Sequence, residues 1–213
     1  MIPPAASAEF VAATEGVLEV CARAPDPARP LVCLDECTKQ LTREVRAPQP
    51  AAPGQPARED SEDERNGVAA IFCAVAPHLG WRRVEERERK TRGDDAHFLR
   101  ALADGHFAQA ERIVLVQDNL DTHGPASLDE AFPPAEAARI RARFEFHFTP
   151  RHGSWLNIAE IELSALARDC LARRIAERTT LAEELRAWQA QRNQSGIIGL
   201  TQASLCTVSV ASL

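Results

Sequence analysis

The chain predicts an α/β fold in which a mixed central sheet is flanked by helices. Three observations lead there. Strand-like apolar runs come first, at 31–34, 67–76 and 81–88. Strand runs at 112–117 and 144–148 then alternate with helical spacing over 94–109 and 125–143. The last stretches, 154–174 and 179–193, carry helical periodicity alone. That order fits strands stacked in one layer with helices covering it. The composition is compatible: 213 residues, 45% hydrophobic and 26% charged, which excludes a disordered, collagen-like or coiled-coil chain.

Each element has a local reason. Residues 1–30 are rich in alanine and proline, with Pro3, Pro4, Pro25, Pro27 and Pro30 around a short helical pattern from Phe10 to Val20. They read as an N-terminal arm or linker remnant. Residues 31–34, Leu-Val-Cys-Leu, follow the stop at Pro30 and end at Asp35 and Glu36, as a short buried strand does. Residues 47–66, with four prolines, Gly54 and an acidic cluster from Glu59 to Glu64, read as a long loop. Residues 67–76 are a second buried strand, and Pro77 to Gly80 turn into a third that starts at Trp81. The run 112–117 is the clearest strand, with Asp118 at its end. Pro133 and Pro134 break the helical stretch 125–143. Phe144, Phe146 and Phe148 alternate with Glu145 and His147, a strand with one buried face. Ser154 is placed to cap a helix reaching about Arg174, and Thr179 or Thr180 another reaching Asn193. Residues 194–213 are an atypical uncharged tail, read as an out-of-register or degraded gene end or as a buried strand.

Charge and cysteine usage limit the function classes. No run of about 18 apolar residues spans a membrane, and the N-terminus lacks a signal-peptide layout, so a cytoplasmic protein is expected. The net charge is −6, whereas a DNA-binding module is usually basic. Only two of the 25 basic residues are lysines, Lys39 and Lys90. The six cysteines form no Cys-x-x-Cys pair and read as free thiols. The cluster Arg82, Arg83, Arg87, Arg89, Lys90 and Arg92 alternates with Glu85, Glu86 and Glu88, so a solvated hairpin face is expected over a phosphate-binding one.

Three carboxylates stand out. Asp35 and Asp118 both follow apolar strands, and ligands of open α/β sheets gather at the carboxyl ends of strands. Two aspartates on neighbouring strand ends would repel unless a cation lay between them, and Mg²⁺ takes such ligands. On strand geometry alone, Asp118-Asn119 serves equally as a turn or helix cap. On the helix after Ser154, steps of about 100° per residue put Leu156, Ala159, Leu163, Leu166 and Ala167 on one face and Ile158, Ile161 and Ala165 on another. A polar stripe of Asn157, Glu160 and Ser164 lies between, with Glu162 in the opposite gap. This favours Glu160 over Glu162 as a ligand, with a solvated glutamate as the equal alternative.

The strings Val32-Cys33-Leu34-Asp35-Glu36, Gly54 to Asp60, Arg112 to His123 and Phe148 to Leu163 resemble, in order, the motifs of bacterial insertion-sequence transposases of the DDE type, in the mariner-related superfamily. The resemblance runs from about Phe10 to Asn193. It implies an RNase H-like fold, with residues 31–193 as the DDE catalytic domain, and Asp35, Asp118 and Glu160 as catalytic and metal-binding residues. It also implies metal-dependent DNA strand cleavage and strand transfer. One Mg²⁺ would activate water or a DNA 3′-hydroxyl and a second would stabilise the leaving oxygen, about 3.5–4 Å away, with Mn²⁺ as a substitute. The partners implied are transposon-end and target DNA and a second copy in a homodimer, with nucleoid association when DNA is bound. Glu36, Asn119, His123, His152 and Asn157 are candidate cleft or DNA contacts. Asn119 and His123 serve equally as caps or packing residues, and Trp155 is expected to pack. The chain departs from the family in lacking room for N-terminal helix-turn-helix domains, so a truncated transposase is expected, with a catalytically inactive remnant as the alternative. Absent tyrosine excludes a tyrosine recombinase. Cys37, where a haloacid dehalogenase needs its second aspartate, disfavours a phosphatase.

Overall fold

A computed structural model describes residues 7–45, 51–56, 62–118, 123–151 and 153–196. Five strands form one sheet: β1 (Leu31–Glu44), β2 (Asp63–Ala76), β3 (Trp81–Arg87), β4 (Ile113–Gln117) and β5 (Phe144–Phe148). Among the described residues six α-helices surround it: α1 (Ala8–Ala22), α2 (Arg92–Ala101), α3 (Pro125–Ala131), α4 (Pro134–Ala142), α5 (Ala159–Asp169) and α6 (Arg178–Ser195). The strand order is β3-β2-β1-β4-β5. The β1–β2 and β2–β3 pairs are antiparallel and the β1–β4 and β4–β5 pairs parallel, so the sheet is mixed.

Side chains alternate across a strand, and the sheet sorts its core accordingly. Leu31 and Cys33 of β1, Ile71, Cys73 and Val75 of β2, and Val114 and Val116 of β4 pack against α1, α5 and α6. Val32 and Leu34, Phe72 and Ala74, and Ile113 and Leu115 point the other way, against α2, α3 and α4. Both faces of the central strands are covered, which is why their sequences are continuous apolar runs. Among the described residues no helix is long and apolar enough to cross a membrane.

The structure departs from the sequence expectations in five places. β1 does not stop at Leu34; it continues to Glu44 as one arm of an antiparallel ribbon with β2, bulged between Gln40 and Thr42. Beyond Asp35 the ribbon alternates half-buried and exposed positions, so a search for apolar runs sees only its doubly covered half. The expected loop 47–66 is shorter for the same reason, since β2 begins at Asp63. The N-terminal segment is no free arm: α1 buries Val17, Val20 and Cys21 in the core, and Arg23 and Arg29 pair with Glu145 of β5. Finally, the helix expected from Ser154 is a 3₁₀ turn over Ser154–Leu156, and α5 starts only at Ala159. α6 runs to Ser195, two residues into the segment expected as tail; residues 197–213 lie outside the described residues.

The edge strand β3 is sealed by α6. The Asn193 side chain accepts from the Arg82 backbone N–H at 2.9 Å and donates to its carbonyl at 2.8 Å, and Gln189 accepts from the Val84 N–H at 2.6 Å. These amides occupy backbone groups that an open edge would offer to another strand. Gly80 turns β2 into β3 with a φ of 61°, and a Cβ there would lie 2.6 Å from the Gly196 carbonyl oxygen, so the turn needs glycine.

Candidate active site

The parallel register of β1 and β4 brings two carboxylates level. Leu31 pairs with Val114, Val32 with Leu115 and Cys33 with Val116. Two residues further along each strand stand Asp35 and Asp118, at matching positions just beyond the paired stretch. By alternation Asp35 belongs to the face covered by α5. Asp118 follows the last residue of β4, as the sequence suggests, whereas Asp35 lies inside β1 rather than at its end.

The third carboxylate comes from α5. Asn157 fixes where this helix begins: its Nδ2 donates to the Leu34 carbonyl at 2.8 Å, and its Oδ1 accepts from the Ala159 backbone N–H at 3.2 Å. The first turn of α5 is thereby fastened to β1 one residue before Asp35. Glu160 sits in that turn, where the helix dipole favours a carboxylate. Glu160, Leu163, Ser164, Ala167 and Leu171 form one wall of an open groove of about 520 Å³, and Asp35 to Lys39 form the other.

The electrostatics single out Asp35. Burial pushes the Asp35 carboxyl up to about 7; the Glu36 backbone N–H, 2.8 Å from its Oδ1, opposes this, and the charges of Asp118, Glu36 and Glu160 add to it. Oxygen donors crowded by like charge suit a hard divalent cation. Among the described residues no group of three or more His, Cys, Asp or Glu side chains is placed so that it could hold a metal ion. The donor set fits Mg²⁺ or Mn²⁺ in its chemistry: acidic oxygens on rigid elements, one of them reluctant to ionise without a neighbouring cation.

The remaining candidates separate clearly. Glu36 points to the opposite face of β1, with its side chain 2% exposed. His123 is 1% exposed, its Nε2 lying 2.7 Å from Glu36 Oε2 and its Nδ1 contacting Asp118 Oδ1. Burial works against the imidazolium, yet the bonds to Asp118 and Glu36 outweigh it and raise His123 to about 10. Of the three candidates for cleft or DNA contacts, Glu36 lines the groove beside Asp35, while His123 and Asn157 are buried. Asn119 and His152 lie outside the described residues. Trp155, expected to pack, is 42% exposed.

Glu162 is the clearest correction. It does not lie in a gap between two apolar faces but on the buried face itself, with Ala159, Leu163 and Leu166. Arg82 Nε reaches Glu162 Oε2 at 2.8 Å and Arg192 reaches Oε1 at 3.0 Å. Arg82, read as part of a solvated face, is therefore a core residue, while Arg83, Glu85 and Arg87 do form the expected surface ladder. Lys39 is likewise engaged, donating to the Leu171 and Arg173 carbonyls. Asp95 escaped the sequence reading because a carboxylate in the first turn of a helix is an ordinary feature. It is fully buried on α2, accepts from Ser127 Oγ at 3.0 Å, and is pushed up to about 7 by burial. Cys21, Cys33, Cys73 and Cys170 are buried free thiols.

Comparison with solved structures finds mariner complexes. The chain superposes on the Mos1 mariner paired-end complex with Mn at a TM-score of 0.56 and 17% identity, covering 92% of this chain and 60% of that one. For the Mos1 strand transfer complex the values are 0.60, 13%, 92% and 59%, and for the mariner Mos1 paired-end complex with Mg they are 0.53, 15%, 90% and 58%. The chain thus spans about 60% of the length of those proteins and shares their RNase H-like fold. A comparison with curated proteins finds no match. The family model of the DDE superfamily endonucleases matches residues 30–182, from the start of β1 into α6 and across all three carboxylates. The chain belongs to the DDE superfamily endonucleases.

Proposed function

We propose that this chain is the catalytic part of a DDE transposase that cuts and joins DNA strands, with Asp35, Asp118 and Glu160 holding the divalent cations the reaction needs. The observation that carries this reading is the matched register of Asp35 and Asp118 on adjacent parallel strands, with Glu160 facing Asp35 across the groove. Mg²⁺ is the favoured cation, as two ions, with Mn²⁺ a substitute; the Mos1 complexes with Mg and with Mn support that choice. Cations held there supply Lewis-acid activation of a water or a 3′-hydroxyl and neutralise charge on the leaving oxygen.

The chain's own residues do the rest. Asp35 and Asp118 offer oxygens from the rigid sheet, and Glu160 offers its own from a helix whose start is fixed by Asn157. Burial raises the Asp35 carboxyl to about 7, so a cation held there would favour its ionised form. The substrates are DNA, as transposon ends and target, met by two copies of the chain in the cytoplasm.

The test is nicking of supercoiled plasmid in Mg²⁺ or Mn²⁺. Wild type nicks the plasmid, while Asp35→Ala and Asp118→Asn fall to background. Equal nicking by wild type and Asp35→Ala would contradict the assignment.

A further inference from the structure

We propose that Glu36 and His123 form a buried brace that fixes Asp118 beside Asp35, making both of them positioning residues for the cation-binding carboxylates. This rests on the reading of Asp35, Asp118 and Glu160 given above. Asp118 follows the last residue of β4, so the sheet ladder does not hold its side chain. His123 does, by contact of Nδ1 with Asp118 Oδ1. The other ring nitrogen lies 2.7 Å from Glu36 Oε2. Glu36 is the next residue after Asp35 on β1, turned to the opposite face by strand alternation. The imidazole therefore ties the β4 aspartate to the strand that carries the β1 aspartate.

Burial separates bracing from chemistry. The side chains of His123 and Glu36 are 1% and 2% exposed, while Asp118 keeps 20%. The brace lies beneath the site and the carboxylate it orients reaches the surface. Behind it, Asp95 accepts from Ser127 Oγ at 3.0 Å. A ring between buried carboxylates is held from more than one side, as partners of metal-ligating groups are, and loss of such partners weakens metal affinity about 10–100-fold.

The test compares Glu36→Ala, Glu36→Gln, His123→Ala and Asp35→Ala with wild type. Mn²⁺ affinity is measured by calorimetry without DNA, nicking is followed against Mn²⁺ concentration, and melting is recorded. Glu36→Ala and His123→Ala are expected to raise the Mn²⁺ dissociation constant about tenfold, with the nicking plateau recovering at saturating Mn²⁺. Glu36→Gln keeps an acceptor for the ring N–H and should stay within about threefold of wild type. Should His123→Ala fail to fold, the two Glu36 variants decide. Lower melting of Glu36→Ala with unchanged Mn²⁺ affinity would overturn the brace as a positioning device. A fallen plateau with unchanged affinity would overturn it too, by placing the pair in the chemistry. Asp35→Ala binding Mn²⁺ as wild type does would remove the metal reading itself, and the brace with it.

Discussion

Glu160 and Glu162 stand two positions apart on α5 and meet opposite environments. Glu160 faces the groove; Glu162 is fully buried between Arg82 and Arg192. Removing one partner of a buried pair leaves the other charge unpaired, so Glu162→Gln should cost about 3–5 kcal/mol. Glu160→Gln relieves repulsion around Asp35 and should fold at least as stably as wild type while losing nicking. Chemical denaturation of both variants beside a plasmid assay checks the pair. Asp95 gives a pH prediction. Its carboxyl is raised from an ordinary value near 3.8 to about 7 by burial, so between about pH 4 and 7 the folded state binds more protons there than the unfolded one. Its contribution is therefore present below pH 4 and lost as pH rises to about 7. Asp95→Asn should flatten that part of the melting-temperature profile, and an unchanged slope would contradict it. The places of Asp35 and Asp118 after apolar runs, and of Glu160 on a polar stripe of its helix, were legible in sequence. Glu162 was misread because nothing in local sequence announces that Arg82, eighty residues earlier, enters the core to meet it.

At the scale of elements, the start of α5 decides the site. Ser154 looks like a helix cap, but the chain instead makes a 3₁₀ turn and hands the role to Asn157, whose amide also grips β1. Asn157→Ala leaves the Leu34 carbonyl without that partner and should cost about 1–3 kcal/mol. It should also loosen the Asp35–Glu160 spacing, so nicking should fall by more than the stability loss explains. Denaturation and nicking of the same preparation check this. The strands β3, β4 and β5 were legible because period-two patterns and Pro/Gly turns bound them. The outer half of β1 was not, because a ribbon exposed on one face carries polar residues where an apolar run is sought. Neither was the packing of α1: a short helical pattern among prolines does not say whether a core awaits it.

On the scale of the whole molecule, one mixed sheet with helices on both faces brings Asp35 of β1 and Glu160 of α5 to one groove and sets Asp118 just past the end of β4, the strand beside β1. The α/β class and the mixed sheet followed from the order of the elements. The parallel adjacency of β1 and β4 did not, since it comes from the 1-4-5 half of the strand order, which sequence separation hides. Burial raises Asp35, and the charges of Asp118, Glu36 and Glu160 add to it. A ligand that binds only the folded state stabilises it, by about 2.7 kcal/mol at a hundred times its dissociation constant. The most direct test is a calorimetric Mn²⁺ titration of wild type beside Asp35→Asn, Asp118→Asn and Glu160→Gln, all at pH 7.5. Saturable binding by wild type, weakened in every one of the three variants, is the predicted result. Variants that bind as wild type does would contradict the convergence of the three carboxylates on one site, and so would a wild type that binds nothing.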